Sequence, residues 1–290
     1  MATFDVTVRG AGVFGLACAW EMVQRGARVQ VIDPHGPAAG ASGGILGALA
    51  PHTPENWNAK KAFQFESLVM AEPFWRGVQA ASGQPTGFAR TGRLQAVADP
   101  GALTLARARA QGARQYWQDQ FHWRVLETVP AWAPSAPMGC VIEDGLSALL
   151  FPRQATQALA AAVRARGGTV VPDGPAQGVT LWATGVAGLA ALSEGRTRSV
   201  GNGVKGQAAL LKCDRAGAPQ LFAEGLHIIP HLDGTVAVGS TSERDYADGT
   251  ATDEGLDALI ERARALVPAL AAAPVVERWA AVRPRARSRP

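Results

Sequence analysis

Residues 4 to 33 confine this chain to a narrow set of folds. Phe4 to Val8 form a β-rich run. Gly10-Ala11-Gly12-Val13-Phe14-Gly15 follows, then an apolar helical stretch from Leu16 to Gln24, Gly26 as a stop, a second β-rich run Val29-Gln30-Val31-Ile32, and Asp33. Strand, glycine turn, helix, strand and acid in this order make a parallel βαβ unit with a dinucleotide site. Gly10 permits the tight turn, Gly12 lets backbone approach a pyrophosphate, and Gly15 lets the helix lie close on the sheet. The helix start, at Val13 and Phe14, offers backbone N–H groups and a positive dipole end to the phosphates. Asp33 stands 18 residues after Gly15, where a carboxylate accepts bonds from a ribose diol. A ligand-free βαβ unit would leave the joint occurrence of the three glycines and the acid to coincidence.

The 290 residues suffice for one large domain or two intimate ones. A hydrophobic share of 47% and a charged share of 18% fit a globular protein with a core. With 28 basic and 24 acidic residues, the net charge of +4 gives no field suited to nucleic acid or membrane. The local exception is the run Arg283, Arg285, Arg287, Arg289. Cys18, Cys140 and Cys213 are isolated and match no C-x-x-C or metal spacing, so no metal and a reducing compartment are expected. Cys18, in the first helix, is expected to be a small buried residue. The first apolar stretch follows Asp5 and lacks a basic flank, unlike a signal peptide. No segment reaches the roughly eighteen apolar residues of a spanning helix. A soluble cytoplasmic protein is expected.

Further along, periodicity predicts a helix over 55–82 with Phe63, Leu68, Phe74 and Trp75 as apolar contacts, a strand over 92–98 and a helix over 100–118. Four prolines around Trp132 make 129–138 a loop. Residues 140–142 and 148–151 read as extended, 153–166 as an amphipathic helix ended by Gly167-Gly168, and 169–171 as a strand of a second βα unit. Residues 179–184 read as a buried strand closed by Gly185. Residues 226–230 and 235–239 form a hairpin across His231-Leu232-Asp233-Gly234, with His231 a surface residue beside the turn. A helix over 253–266 takes Thr252 as N-cap, and 275–281 is a last strand.

Four later segments join the glycine turn: Ala41-Ser42-Gly43-Gly44-Ile45-Leu46-Gly47-Ala48-Leu49-Ala50-Pro51, Leu181-Trp182-Ala183-Thr184-Gly185, Val204-Lys205-Gly206-Gln207, and Trp279-Ala280-Ala281-Val282-Arg283-Pro284. Together with H-I-I-P-H-L-D-G-T-V-A-V-G-S-T, this set resembles the FAD-dependent oxidoreductases of the D-amino-acid oxidase and glycine oxidase family over nearly the whole length. The resemblance implies an α/β fold: a doubly wound Rossmann-type FAD-binding domain with an inserted antiparallel-sheet substrate domain. It divides the chain into 1–81, 143–199 and 277–290 for the FAD-binding domain and 82–142 and 200–276 for the substrate domain. It implies FAD, with Gly10, Gly12, Val13, Phe14, Gly15 and Asp33 at the adenosine and diphosphate. Ser42, Gly43, Ile45, Leu46, Gly47 and Leu49 then lie along the isoalloxazine, with Thr184 and Gly185 at a second turn. It implies a small amine or amino-acid substrate giving a hydride to flavin N5, imine hydrolysis, and oxygen or another acceptor. Arg283 matches the family arginine that grips the substrate carboxylate. His227 falls where glycine oxidases tend to place a tyrosine, with His52 a weaker candidate.

Three departures stand out. Asp33 replaces the usual glutamate, and Arg9 stands before the first glycine, where its charge must reach solvent or a partner. Relatives continue past the R-P motif with a strand, a glycine-rich turn and a helix, so the sequence is expected to be either truncated relative to them or a part of a longer one; a genuine 290-residue product would bind FAD poorly. Alternative readings are a flavin domain for tRNA wobble-uridine modification, a catalytically incompetent FAD-binding protein, and an NAD-dependent dehydrogenase.

Overall fold

The computed structural model describes residues 3–287. In chain order its elements are β1 (Val6–Arg9), α1 (Val13–Gln24), β2 (Val29–Ile32), β3 (Gly47–Leu49), α2 (Ala59–Ser82), β4 (Arg93–Ala96), α3 (Pro100–Tyr116), β5 (Trp123–Leu126), β6 (Val141–Asp144), β7 (Ala148–Leu150) and α4 (Pro152–Ala165). They continue with β8 (Thr169–Val171), β9 (Val179–Trp182), α5 (Gly185–Ser193), β10 (Gly201–Lys212), β11 (Gln220–Ala223), β12 (Leu226–Pro230), β13 (Thr235–Gly239), α6 (Glu254–Leu266) and β14 (Val275–Ala286).

Four of the strands make a parallel sheet in the order β8-β2-β1-β9. Helix α1 packs on β1 and β2, α4 packs on α1 and β8, and α2 packs on α4. Leu16, Ala19, Trp20, Val29, Val31, Trp75, Val78, Leu159 and Val163 share one core. Eight strands make the second sheet, in the order β14-β10-β13-β12-β11-β4-β6-β5. Its pairs are antiparallel except β11 with β4, which run parallel. That exception arises where strands from the two inserted stretches meet. One face of this sheet is covered by α6, through Leu256, Leu259, Ile260 and Ala263 against Leu211, Ile228, Val236 and Val238. The opposite face meets the loop after β2, and Ile45, Leu149, Phe151, Ala208, Leu210, Ile229 and Ala237 form the core between them. The doubly wound domain and its inserted sheet are therefore both present, tied by a two-stranded β3–β7 ladder.

Several expectations change. Residues 277–286 are not a return to the parallel sheet: β14 pairs with β10 along its length, from Gly201↔Ala286 to Leu211↔Val275. The alternating apolar pattern to Ala281 continues as extended Arg283-Pro284-Arg285, because an edge strand tolerates proline. Arg289 lies outside the described residues. The strand over 179–182 is an edge, not buried: Val179 and Trp182 are each 70% exposed. Arg9 lies 5.6 Å from the Trp182 ring, a cation over an aromatic face, which answers where its charge goes. Gly185 opens α5, a nine-residue helix whose Gly- and Ala-rich sequence carries little periodic signal. Cys18 and Phe63 are exposed, because both fall on the outer faces of their helices. The helix expected from residue 55 starts at Ala59, capped by Asn58 accepting from the Lys61 N–H. Asp253, not Thr252, caps α6, accepting from the Gly255 N–H at 3.0 Å. His231 is buried, for a reason given below.

Candidate active site

The glycine turn closes where the sequence predicts. Gly10 has φ +110°, and a Cβ there would stand 2.3 Å from the Ala183 carbonyl oxygen. A Cβ at Gly15 would stand 2.0 Å from the Gly10 oxygen. Both glycines are thus required by the protein's own packing. Gly12 differs: its φ is −78° and an added Cβ would meet only Ser42, at 3.1 Å. No backbone strain demands glycine at that position, and the neighbour that must give way is a side chain rather than the backbone met at Gly10 and Gly15. The first-turn N–H groups of α1 lack intrahelical acceptors by geometry; that of Val13 donates to Ser42 Oγ at 2.9 Å. Asp33 accepts from the Ala11 N–H at 2.7 Å and the His35 N–H at 2.9 Å, which fixes its carboxylate beside the turn with lone pairs to spare. Thr184 and Gly185, at φ +61°, adjoin the same turn through Ala183.

The loop over 41–49 is anchored by its carbonyls. The Ser42 oxygen accepts from Thr156 Oγ1 at 3.3 Å, that of Gly43 from Arg153 Nε at 2.9 Å, that of Gly44 from the Arg153 N–H at 3.1 Å, and that of Ile45 from His231 Nε2 at 2.8 Å. Four successive carbonyls are thereby committed to the protein. Among the described residues, no acceptor is bonded to the N–H groups of Gly44, Ile45 or Leu46. Such a row of backbone donors suits the polar edge of a flat heteroaromatic ring. The carbonyl of Ile45 can only accept, so His231 Nε2 carries the proton. The imidazole is 1% exposed, stacks on Phe151 at 4.3 Å, and burial pushes its pKa down. Sequence reasoning placed it on the surface because it adjoins an Asp-Gly turn. Its role depends on a contact 186 residues away, which no local pattern records.

Arg283 and His227 come to the same face of the eight-stranded sheet, the face that meets this loop. Phe222, His227, Gly239, Ala208 and Trp279 are successive cross-strand partners in one row. Side chains added at Gly239 and Gly44 would touch Leu46 and the Trp279 ring at 3.0 and 3.1 Å, which sets the loop directly on that row. From β14, Arg283 sends Nη1 to Ser240 Oγ at 2.9 Å and Nη2 to the Thr241 oxygen at 2.8 Å. No carboxylate among the described residues pairs with it. Burial pushes its pKa down and the charge of Glu243 partly restores it. A half-buried guanidinium without a paired carboxylate has N–H groups left to donate to an anion. His52, by contrast, is exposed and holds Gln64 through its backbone N–H.

The His227 ring lies tilted against Phe222 with centroids 4.8 Å apart, and its buried Nδ1 has no partner among the described residues. Burial, with help from Arg93, holds its pKa down to about 4, so it is neutral at ordinary pH. In the unfolded chain the same imidazole takes a proton near the usual value of about 6.5. Native stability should therefore be unaffected above that pH and fall as pH drops towards 4, by about 2–3 kcal/mol at most for this residue. Thermal melts between pH 7.5 and 4.5 should show a steeper loss in wild type than in His227→Gln; parallel curves would refute the assignment.

The profile of the FAD dependent oxidoreductase family matches residues 5–290. The chain belongs to that family. A glycine oxidase of Pseudomonas putida is 43% identical over 82 residues, 28% of this chain and 22% of that protein. The matched stretch thus spans about a fifth of that relative's length. A putative thiamine biosynthesis oxidoreductase ThiO of Rhizobium etli is 28% identical over 295 residues, 96% of this chain and 84% of that protein. Among solved structures, glycine oxidase from Geobacillus kaustophilus superposes with a TM-score of 0.82 at 18% identity, covering 98% of this chain and 83% of the other, a likeness of fold.

FAD is the cofactor of this family, and the residues fit it. The space before Gly12 is free for a diphosphate, Asp33 would take the ribose, and the donor row at Gly44–Leu46 would meet the ring edge. No helix among the described residues is long and apolar enough to cross a membrane, and no group of three or more metal-ligating side chains occurs among them. Sequence reasoning missed Arg153, Thr156 and His231 as loop anchors, and Ser240 and Thr241 as partners of Arg283. Only Arg153, opening α4 beside Pro152, offered a signal, because a helix start is a natural place to hold a neighbouring loop.

Proposed function

We propose that the chain oxidises a small amino acid or related amine that carries a carboxylate. The half-buried, unpaired guanidinium of Arg283, on the sheet face that meets the 41–49 loop, is the observation that carries this reading. The planar fork accepts a carboxylate bidentately while Ser240 and Thr241 hold it from behind. So anchored, the substrate's α-carbon is turned towards the loop. FAD, when bound, would supply the two-electron acceptor for the hydride that leaves this carbon. His227, neutral and apolar on one side, narrows the space beside Phe222 and offers one hydrogen-bonding nitrogen to the amine. A neutral amine needs no strong base, so the protein's task is orientation. The amine loses two electrons and two protons, water hydrolyses the imine to a carbonyl compound and ammonia, and oxygen leaves as hydrogen peroxide.

The test is a visible spectrum of the purified protein followed by anaerobic bleaching with glycine, sarcosine, D-alanine and D-proline, with peroxide measured on readmitting air. Bleaching by at least one of these, with peroxide release, is expected. A flavin-loaded protein that none of them bleaches would end this reading.

A further inference from the structure

We propose that Gly206, with Lys205 and Gln207 on either side of it, positions Arg283: the bare glycine seats the guanidinium, and the flanking pair fixes the segment that grips it. The proposal rests on the reading of Arg283 as carboxylate anchor.

Arg283 stands opposite Val204 on β10. Its side chain does not project straight out. It lies along the sheet over Gly206, where an added Cβ would come within 2.9 Å of Cζ and Nη2 and 3.1 Å of Nε. Gly206 sits within an ordinary strand, outside the left-handed region, so the backbone does not require glycine. Glycine weakens a strand interior and marks a close approach. The nearest neighbour to a side chain here is the guanidinium.

Lys205 and Gln207 point to the opposite face, towards the start of α6. Lys205 Nζ binds Glu243 at 3.2 Å and Asp253 at 2.9 Å. Gln207 Nε2 donates to Glu243 Oε1 at 2.9 Å and Asp253 Oδ1 at 2.7 Å, and its Oε1 accepts from the Asp253 N–H at 2.9 Å. The Gln207 N–H donates to Thr241 Oγ1 at 2.9 Å, and Thr241 Oγ1 donates to Glu243. Lys205 and Glu243 also exchange backbone bonds of 2.9 and 3.0 Å. Every bond of this set ends on the 241–253 stretch, and its first residues hold Arg283 on the other face. The strand therefore acts as a two-sided clamp: polar bonds lock the segment below while the missing side chain leaves room above.

The test uses flavin-loaded protein and the best carboxylate substrate from the amine panel. Gly206→Ala should raise KM at least ~10-fold with kcat within ~3-fold, and add less than ~2-fold in the Arg283→Ala background. Flavin content should be unchanged, and the thermal shift given by glycolate should shrink. Should Gly206→Ala fail to fold, Gln207→Leu, which removes the bonds to Glu243 and Asp253, is measured against the same criteria. A KM rise in Arg283→Ala without one in Gly206→Ala or Gln207→Leu overturns this proposal alone. An unchanged KM in Arg283→Ala overturns the anchor reading, and this inference with it.

Discussion

Arg283→Ala should raise KM for carboxylate-bearing amines at least ~100-fold while leaving flavin content and melting temperature near wild type. Each charge-assisted bond lost to the carboxylate is worth about 1.5–3 kcal/mol, and the planar fork supplies two. Folding should be spared, because the guanidinium is half-buried with no ion-pair partner to strand and its two acceptors can turn to water. Arg283→Lys should fall between, since an ammonium keeps the charge but not the geometry. An amine lacking a carboxylate should show no KM change in either variant. Steady-state kinetics with matched pairs of amino acid and amine decide the matter; equal effects on both would remove Arg283 from the substrate.

Gly12→Val should yield folded protein that retains almost no flavin, with affinity reduced at least ~1000-fold as branched methyls fill the phosphate's space. The contrast with its neighbours makes this informative. A Cβ at Gly10 or Gly15 would strike backbone oxygens at 2.3 and 2.0 Å, so alanine at either should unfold the βαβ unit. At Gly12 the added atom meets only Ser42 Oγ, at 3.1 Å. Loss of cofactor should therefore separate from loss of fold. Far-ultraviolet circular dichroism and flavin fluorescence titration of the purified variant measure both. Stoichiometric flavin in Gly12→Val would move the diphosphate elsewhere.

The N-terminal unit was legible in the sequence because its signals are local. Strand, glycine turn, helix and acid lie within 30 residues, and the structure adds only distances. The hairpin across Asp233-Gly234 was equally plain, its turn chemistry and register being written in adjacent residues. What failed to show was whatever depends on distant partners. The alternating residues of 179–182 predict a strand but not that it stands at an edge. His231 reads as a turn residue until the Ile45 carbonyl arrives beside it. Arg283 was identified as a motif position, while the glycine beneath it and the hydroxyl at Ser240 emerge only once β10, β13 and β14 lie side by side. The expected boundary at 277 failed for the same reason, since membership in a sheet is decided by register rather than composition.

The threading of the two sheets also has a consequence for biosynthesis. The hydroxyl of Thr7 on the first strand is satisfied by Gln177, 170 residues later, and the glycine turn is closed only by Ala183. At the usual pace of about 5–20 residues per second, a ribosome takes roughly 10–30 s to cover that gap. Through that interval the nascent nucleotide pocket lacks a wall, and the clamp on Arg283 waits still longer, for residues 275–286. Vitamin supply during translation should therefore matter less than supply afterwards, because the pocket is finished late.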